Sequence, residues 1–278
     1  GLYEPIRYIL SIGGKRVRPC LTLLAHNVFS DEVSVAIPPA LALEVFHNFT
    51  LLHDDIMDNA NSRRNKETVH IKWNNNTAIL SGDAMMIYAY DVLNKTTSEI
   101  FPKVFSLFNK TALEVCEGQQ YDMEFENRSE VSADEYLEMI RLKTAVLIAS
   151  SLAIGAITAN ASGTDIEKMY QFGLNIGLAF QLQDDYLDVF ALKQHFGKSI
   201  GGDILANKKT YLMICALNAS NRQLVNELRS WIGKEKFDPG EKIKAVTAIY
   251  RKLEVEKQVT DLVEDYFSKG LEYLAETD

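Results

Sequence analysis

Apolar residues recur along this chain at intervals of three and four, the spacing of a helix with one buried face. Val246, Ile249, Tyr250 and Leu253, then Leu262, Val263, Tyr266 and Phe267, follow it near the C-terminus, and Val104, Leu107, Phe108, Thr111 and Val115 follow it mid-chain. No alternating stretch closed by Asn-Gly or Asp-Gly competes with this pattern, so no strands are expected. Helix starts are legible as well. Pro38-Pro39 opens a segment running from Ala40 to Asp58, as proline in a first turn does. Ser132 with Glu135 three residues on forms a capping box before a helix from Tyr136 to Ala159. Asp165 precedes a helix from Ile166 to Phe190, and Asp238-Pro239-Gly240 separates two late helices. No proline falls between Lys103 and Asp238. The pattern predicts a single all-α domain over residues 1–278 of roughly ten helices, too many for a four-helix bundle.

Composition narrows the class. With 47% hydrophobic and 24% charged residues the chain is too apolar for a disordered one. Lys and Arg number 29 against 38 Asp and Glu, a net charge of −9 that argues against a nucleic-acid partner while leaving room for small anions at local basic clusters. Cys20, Cys116 and Cys215 are too few and scattered for a disulfide framework or a zinc site, and they point to the cytoplasm. The most apolar stretch, Ala145 to Ile157, is interrupted by Ser150 and Ser151 and falls short of the ~20 residues of a membrane span. It reads as a buried helix, and no transmembrane segment is expected.

Two acidic clusters of one design carry the chemistry. His53-Asp54-Asp55-Ile56-Met57-Asp58 ends one apolar helical stretch, and Gln183-Asp184-Asp185-Tyr186-Leu187-Asp188 ends another. In each, the outer aspartates are four residues apart, which places both carboxylates on one helix face, where like charges repel. A bound cation relieves that repulsion. Ligands that are all oxygen, with no His/Cys set, favour Mg²⁺ or Mn²⁺ over zinc or copper. Taken singly, each cluster reads equally well as a solvated acidic helix end; the repetition argues otherwise. An EF-hand is excluded by the missing loop glycine and alternating ligands.

Mg²⁺ held by few carboxylates shares its remaining positions with water and substrate phosphate. Basic groups for phosphate are present: Gly13-Gly14-Lys15-Arg16-Val17-Arg18-Pro19, Arg63-Arg64 directly after the first cluster, Lys198, and Lys208-Lys209. Each alone would be an ordinary surface patch. Together, in an acidic protein, they point to more than one polyanionic group. The Gly13-Gly14 segment is not a P-loop, because the Gly-Lys-Ser/Thr spacing and the preceding strand are absent.

In this order the motifs resemble the trans-isoprenyl diphosphate synthases, head-to-tail prenyltransferases. The resemblance covers nearly the whole chain: the Gly13–Pro19 segment, His47, the Asp54–Asp58 motif, Arg63-Arg64, Gly118-Gln119-Gln120-Tyr121-Asp122, Lys143-Thr144-Ala145, the stretch from Gly177 to Asp188, and Gly197-Lys198 through Asp203-Ile204 to Lys208-Lys209-Thr210-Tyr211. It implies an all-α fold around a deep central cavity, a homodimer, and a further short segment ahead of the Gly-Gly-Lys-Arg motif. It implies about three Mg²⁺ ions, ligated directly by Asp54, Asp58 and Asp184, with Asp55, Asp185 and Asp188 ligating or holding metal-bound water. Arg63, Lys143, Lys198 and Lys208 look like contacts to an allylic diphosphate, and Lys15, Arg18, His47 and Arg64 like a pocket for isopentenyl diphosphate. Gln181 and the carbonyls of Lys143 and Thr144 look placed toward a carbocation, and Phe180 reads as plain core unless it faces the cation too. Helix geometry independently puts His47, Leu51, Asp54 and Asp58 on one stripe.

The implied reaction ionises the allylic diphosphate. Cations stabilise the leaving diphosphate, the double bond of isopentenyl diphosphate attacks the allylic carbon, and a proton leaves, in the family to the departed diphosphate. Alignment of both substrates removes an entropic barrier of up to roughly 7–11 kcal/mol. In the family, bulky residues just before the first aspartate motif floor the cavity. Here Phe49 stands five positions ahead of Asp54 and small Thr50 four ahead, which favours a C15 or C20 product, with the uninterrupted motif leaning to the C20 geranylgeranyl type. In an ideal helix Phe49 lies about 140° around from Asp54, so the floor role comes from the resemblance alone. A class I terpene cyclase is disfavoured, since it needs no second diphosphate pocket. A non-catalytic helical subunit is disfavoured too, because both aspartate triplets are complete.

Overall fold

Proline and capping side chains set several of the helix starts. In the computed structural model, which describes residues 1–191 and 201–277, α1 (Tyr3–Ser11) is followed by the Gly13-Gly14 turn and α2 (Val17–Phe29). A 3₁₀ turn at Val33–Ala36 leads into α3 (Ile37–Met57), with Pro38 and Pro39 in its first turn, where the missing N–H is no loss. After α4 (Val69–Lys72), Asn74 starts α5 (Asn75–Leu93) by accepting from the Thr77 N–H at 2.8 Å. Then come α6 (Phe101–Asn127), α7 (Ala133–Ile140), α8 (Val146–Thr158) and α9 (Gly163–Phe190). The C-terminal part holds α10 (Gly202–Leu205), α11 (Tyr211–Leu217), α12 (Arg222–Ile232), α13 (Pro239–Lys252) and α14 (Val255–Ala275). Asp238 caps α13 through the Glu241 N–H at 2.9 Å, with Pro239 at the first helical position.

Three features depart from the sequence expectation. Short helices such as α4 and α10 raise the helix count among the described residues above ten. A small hairpin, β1 (Ser62–Arg63) with β2 (Lys66–Glu67), turns on Arg64 and Asn65, both with positive φ, 52° and 60°. The left-handed pair closes a two-residue hairpin without the glycine that normally signals one. The expected helix from Tyr136 to Ala159 is two helices joined by a π-helical turn at Arg141–Ala145, where the Val146 N–H reaches back five residues to the Arg141 carbonyl.

Contacts group the described chain into two compact units, residues 1–111 with 150–170, and residues 112–149 with 171–277. In the first, Leu43, Phe46 and Leu52 of α3 are buried, as are Met85, Ala89 and Leu93 of α5. Phe108 of α6 stands 5.5 Å from Phe46 and 5.3 Å from Tyr90, ring to ring. Each fully buried Leu, Phe or Met contributes about 1.5–3 kcal/mol over its exposed state, so α3 is anchored along most of its length. In the second unit, Leu212, Met213, Leu228, Ile249, Tyr250 and Val259 form a cluster drawn from α11 to α14. The Val33–Met57 and Ala133–Thr158 runs are long and apolar enough to cross a membrane, but 61% and 89% of their apolar windows are buried within the protein, as core helices are.

At the start of α7, Ser132 accepts from the Glu135 N–H at 3.2 Å and the Glu135 carboxylate accepts from the Ser132 N–H at 2.9 Å, both halves of the expected box. The bond from the Ser132 N–H, with Arg128 beside it, holds the Glu135 carboxyl down at about 2. Ser132→Ala is expected to lower stability by about 1 kcal/mol in urea unfolding. An unchanged midpoint would mean the box does not hold this helix start.

Candidate active site

The last turn of α3 carries the first aspartate motif. Asp54 and Asp55 lie within the helix and Asp58 caps it, its N–H donating to the Asp54 carbonyl at 2.9 Å. Asp55 is 2% exposed, whereas Asp54 is half-buried and Asp58 exposed. So buried a carboxylate needs a partner. Arg63 provides it: Nε donates to Asp55 Oδ1 and Oδ2 at 2.9 and 3.0 Å, Nη2 lies 2.9 Å from Oδ1, and Asp54 is 3.6 Å away. Burial pushes the Asp55 carboxyl up, and Arg63 offsets this only in part. Arg63 thus sits on its own motif, while Arg64, next along the hairpin, donates to the Gly13 carbonyl.

A cationic group stands in the same unit. Arg18 Nη1 lies 3.1 Å from His47 Nε2. Burial, then Arg18, Arg64, Arg63 and Arg16, push the imidazole well below its usual pKa, so His47 is neutral and accepts from Arg18, whose guanidinium has no acceptor. Burial pushes Arg18 itself down to about 10, which leaves it charged at neutral pH, and its Nε is buried without a partner among the described residues. Arg16 pairs with Glu44 and donates to the Leu10 carbonyl at 2.6 Å; Glu44 also accepts from Asn48 at 2.8 Å. Lys15 is exposed at the start of this segment. The structure therefore sets Arg18 against His47, with Arg64 close enough to act on the imidazole, and Glu44, which the sequence reading passed over, acts on both arginines. Phe49, 8% exposed, stands 4.8 Å from the His53 ring and 5.6 Å from Phe46, and the Thr50 hydroxyl donates to the His47 carbonyl at 2.8 Å.

In the second unit the last turns of α9 repeat the arrangement with different partners. Asp185 is 5% exposed, while Asp184 and Asp188 are half-buried. Tyr136 of α7 donates its hydroxyl to Asp185 Oδ2, and Gln181 Nε2 donates to Oδ1 at 3.1 Å. The Thr144 hydroxyl donates in turn to Gln181 Oε1 at 3.0 Å. Burial pushes the Asp185 carboxyl up to about 7 against the two donors. Asp188 holds the start of α10, its Oδ2 accepting from the Asp203 N–H at 3.0 Å and its carbonyl from Gly201 at 2.6 Å.

Lys143 donates to Asp122 Oδ2 at 2.6 Å, and Lys208 stands 4.0 Å from the same oxygen. Burial raises the Asp122 carboxyl, but Lys208 and Lys143 outweigh it and the net direction is down. Lys209 donates to the Phe125 and Glu126 carbonyls at 2.6 and 3.3 Å, so it caps the end of α6. Lys198 lies outside the described residues. Phe180, which the sequence left as either core or facing the cation, is 53% exposed and so is not core. Both neighbours of the π turn are glycines: a Cβ on Gly118 of α6 would lie 2.7 Å from Lys143 Cα, and one on Gly177 of α9 would lie 2.5 Å from Ala145 Cα. A π turn takes carbonyls out of the regular ladder, which suits the role that the resemblance gives to Lys143 and Thr144.

Sequence reasoning missed Tyr136, Glu44 and the pairing of Asp122. Tyr136 sits at helical spacing and reads as core; Asp122 belonged to a quoted motif but carried no assigned role. The donor set fits Mg²⁺. Asp54 and Asp184 are half-buried and Asp58 exposed, all with oxygen donors of the kind Mg²⁺ takes, while no three His, Cys, Asp or Glu side chains among the described residues stand grouped as a metal cluster.

Residues 1–250 match the family model described as Polyprenyl synthetase. The chain is 37% identical over 257 residues to the short chain isoprenyl diphosphate synthase of Methanocaldococcus jannaschii, spanning 92% of this chain and 78% of that protein. It is 36% identical over 279 residues to the geranylgeranyl diphosphate synthase of Saccharolobus solfataricus, spanning 99% and 83%. The crystal structure of geranylgeranyl pyrophosphate synthetase from Pyrococcus horikoshii matches with a TM-score of 0.94 at 34% identity, over 100% of this chain and 84% of that one.

Gly118→Ala is expected to destabilise the protein by about 1–3 kcal/mol through overpacking at the π turn. Gly163→Ala, where a Cβ meets nothing within 4 Å, is expected to be neutral or slightly stabilising. Equal unfolding midpoints for the two variants would show that α6 does not depend on close approach there.

Proposed function

The chain belongs to the polyprenyl synthetase family, and on that premise we propose that it is a short-chain prenyltransferase condensing isopentenyl diphosphate with an allylic diphosphate, with geranylgeranyl diphosphate as product. The observation that carries the reading is the repeated motif: two apolar helices, each ending in an aspartate triplet whose middle carboxylate is buried and held by an internal donor while its outer ones are half-buried or exposed. The C1–O bond of the allylic substrate breaks with its electron pair leaving on the diphosphate. The double bond of isopentenyl diphosphate forms the new C–C bond to C1, and the released proton goes to the departed diphosphate.

Asp54, Asp58 and Asp184 would hold the Mg²⁺ ions, which when bound supply Lewis-acid stabilisation of the leaving group. Asp55 and Asp185, tied to Arg63 and to Tyr136, keep each motif's backbone and outer carboxylates in place. Lys143 and Lys208, both beside Asp122, are poised for the allylic diphosphate, with Lys198 and the free edges of Arg63 in the same role. Arg18, His47 and Arg64, with Lys15, take isopentenyl diphosphate: neutral His47 orients the Arg18 guanidinium, whose planar fork suits phosphate. Gln181 and the Thr144 and Lys143 carbonyls present partial negative charge to the carbocation. Phe49, backed by Phe46, limits the chain to C20.

The continuous family match over residues 1–250 supports one isoprenoid-synthase-type domain. A homodimer is supported by the exposed apolar side chains Leu80, Ile87 and Tyr88 of α5, and a cytoplasmic setting by three thiols outside any disulfide.

The test is incubation with Mg²⁺, isopentenyl diphosphate and dimethylallyl, geranyl or farnesyl diphosphate, followed by chromatography of the products. Elongation to C20 is expected. A cyclised hydrocarbon from one allylic substrate would instead indicate a terpene cyclase, and no turnover with any acceptor would indicate a non-catalytic subunit. Asp54→Ala and Asp184→Ala are each expected to abolish turnover with the helical circular dichroism unchanged; near-normal activity would remove metal binding from those residues. Phe49→Ala is expected to lengthen the products beyond C20, and an unaltered product would move the floor elsewhere.

A further inference from the structure

Tyr136 is placed with little freedom. The Ser132–Glu135 box fixes the first turn of α7, and Val131 before it and Tyr136 in its second turn occupy the two positions of a hydrophobic staple within one buried cluster that includes Ile140, Leu178 and Leu182. The ring is 2% exposed. In so apolar a wall a hydroxyl without an acceptor is costly, and a leucine or phenylalanine would fill the space as well. The hydroxyl is there, and it donates to Asp185.

That bond fixes a direction. Asp185 accepts from Tyr136 on Oδ2, so Oδ1 is left to accept from the Gln181 amide nitrogen at 3.1 Å. With its nitrogen committed to a carboxylate, the amide must turn its oxygen the other way, and that oxygen accepts from Thr144 at 3.0 Å. Reversing the amide would set its oxygen against the oxygen of the ionised carboxylate. We infer that Tyr136 is a positioning residue for prenyl transfer, the fixed end of a hydrogen-bonded relay Tyr136–Asp185–Gln181–Thr144 that sets the carboxylate of the second aspartate motif and the side chains of the π turn in one arrangement. The roles of Gln181, Thr144 and Asp185 in this inference rest on the prenyltransferase reading above; the relay itself rests on the hydrogen bonds.

Tyr136→Phe removes one oxygen and leaves the ring. It is expected to keep the unfolding temperature within a few degrees of wild type, to lower kcat at least tenfold, and to leave KM for isopentenyl diphosphate within twofold. The rise in unfolding temperature on adding Mg²⁺ with inorganic pyrophosphate, read without turnover, is expected to fall by half or more. In the double variant Tyr136→Phe/Thr144→Val the loss in kcat is expected to be smaller than the product of the single losses, because both break one relay. Turnover within twofold of wild type, an undiminished pyrophosphate shift, or multiplicative losses overturns the inference. Should Tyr136→Phe fail to fold, 3-fluorotyrosine at this position keeps the ring and makes the hydroxyl a stronger donor; an unchanged kcat would then overturn it. Wild type assayed in parallel separates the two levels: an inactive wild type defeats the prenyltransferase reading, whereas active wild type with equally active Tyr136→Phe defeats the relay alone.

Discussion

A carboxylate at the C-terminal end of an apolar helix is opposed three times over: by its neighbours of like charge, by loss of water, and by the negative pole of the helix itself. This protein places a triplet of them at the end of α3 and another at the end of α9. In both triplets the fold answers with an internal donor for the middle residue. Arg63 does so by a charged pair and Tyr136 with Gln181 by neutral hydrogen bonds. Removing one partner of a buried ion pair such as Arg63–Asp55 costs about 3–5 kcal/mol, a large part of the 5–15 kcal/mol that holds an ordinary domain together. With the middle carboxylates satisfied, the proposed cation sites fall to the less buried outer residues of each motif. The division of labour within the motif thus follows from burial.

The π turn shows the same logic in the backbone. A five-residue reach is an unfavourable local choice that persists because its surroundings impose it. Here two glycines remove the side chains that would hold α6 and α9 away from residues 143–145. The turn then presents Lys143 to Asp122 and Thr144 to Gln181.

Much of this was legible in the order of residues, and the remainder fails for identifiable reasons. Helix starts at Pro38-Pro39, Ser132 and Asp238 are local chemistry and appear where expected. The π turn between α7 and α8 was invisible, because Arg141 to Ala145 holds neither glycine nor proline; the glycines that make room for it, Gly118 and Gly177, are distant in sequence. The hairpin was missed because Arg64-Asn65 carries no glycine. At the site, charged motifs with fixed spacing declared themselves, and Arg18 lies 3.1 Å from His47. Tyr136 did not, since a tyrosine on the buried face of a helix is indistinguishable from packing until its acceptor is seen. Phe180 stood between two readings, core or cavity lining, and its exposure removes the first.

The hairpin from Ser62 to Glu67 has a bearing on which parts of this chain tolerate change in length. Surface loops ordinarily accept added residues with small loss. This one directs two consecutive arginines to unlike destinations, the first to a buried carboxylate and the second to a main-chain oxygen near the N-terminus. A slip of one position would exchange their directions, leaving an anion stranded in the interior and a guanidinium pointing into solvent. Among natural variants of this chain, insertions should accordingly crowd into other connections and spare these six residues, although by exposure alone they belong with the permissive ones.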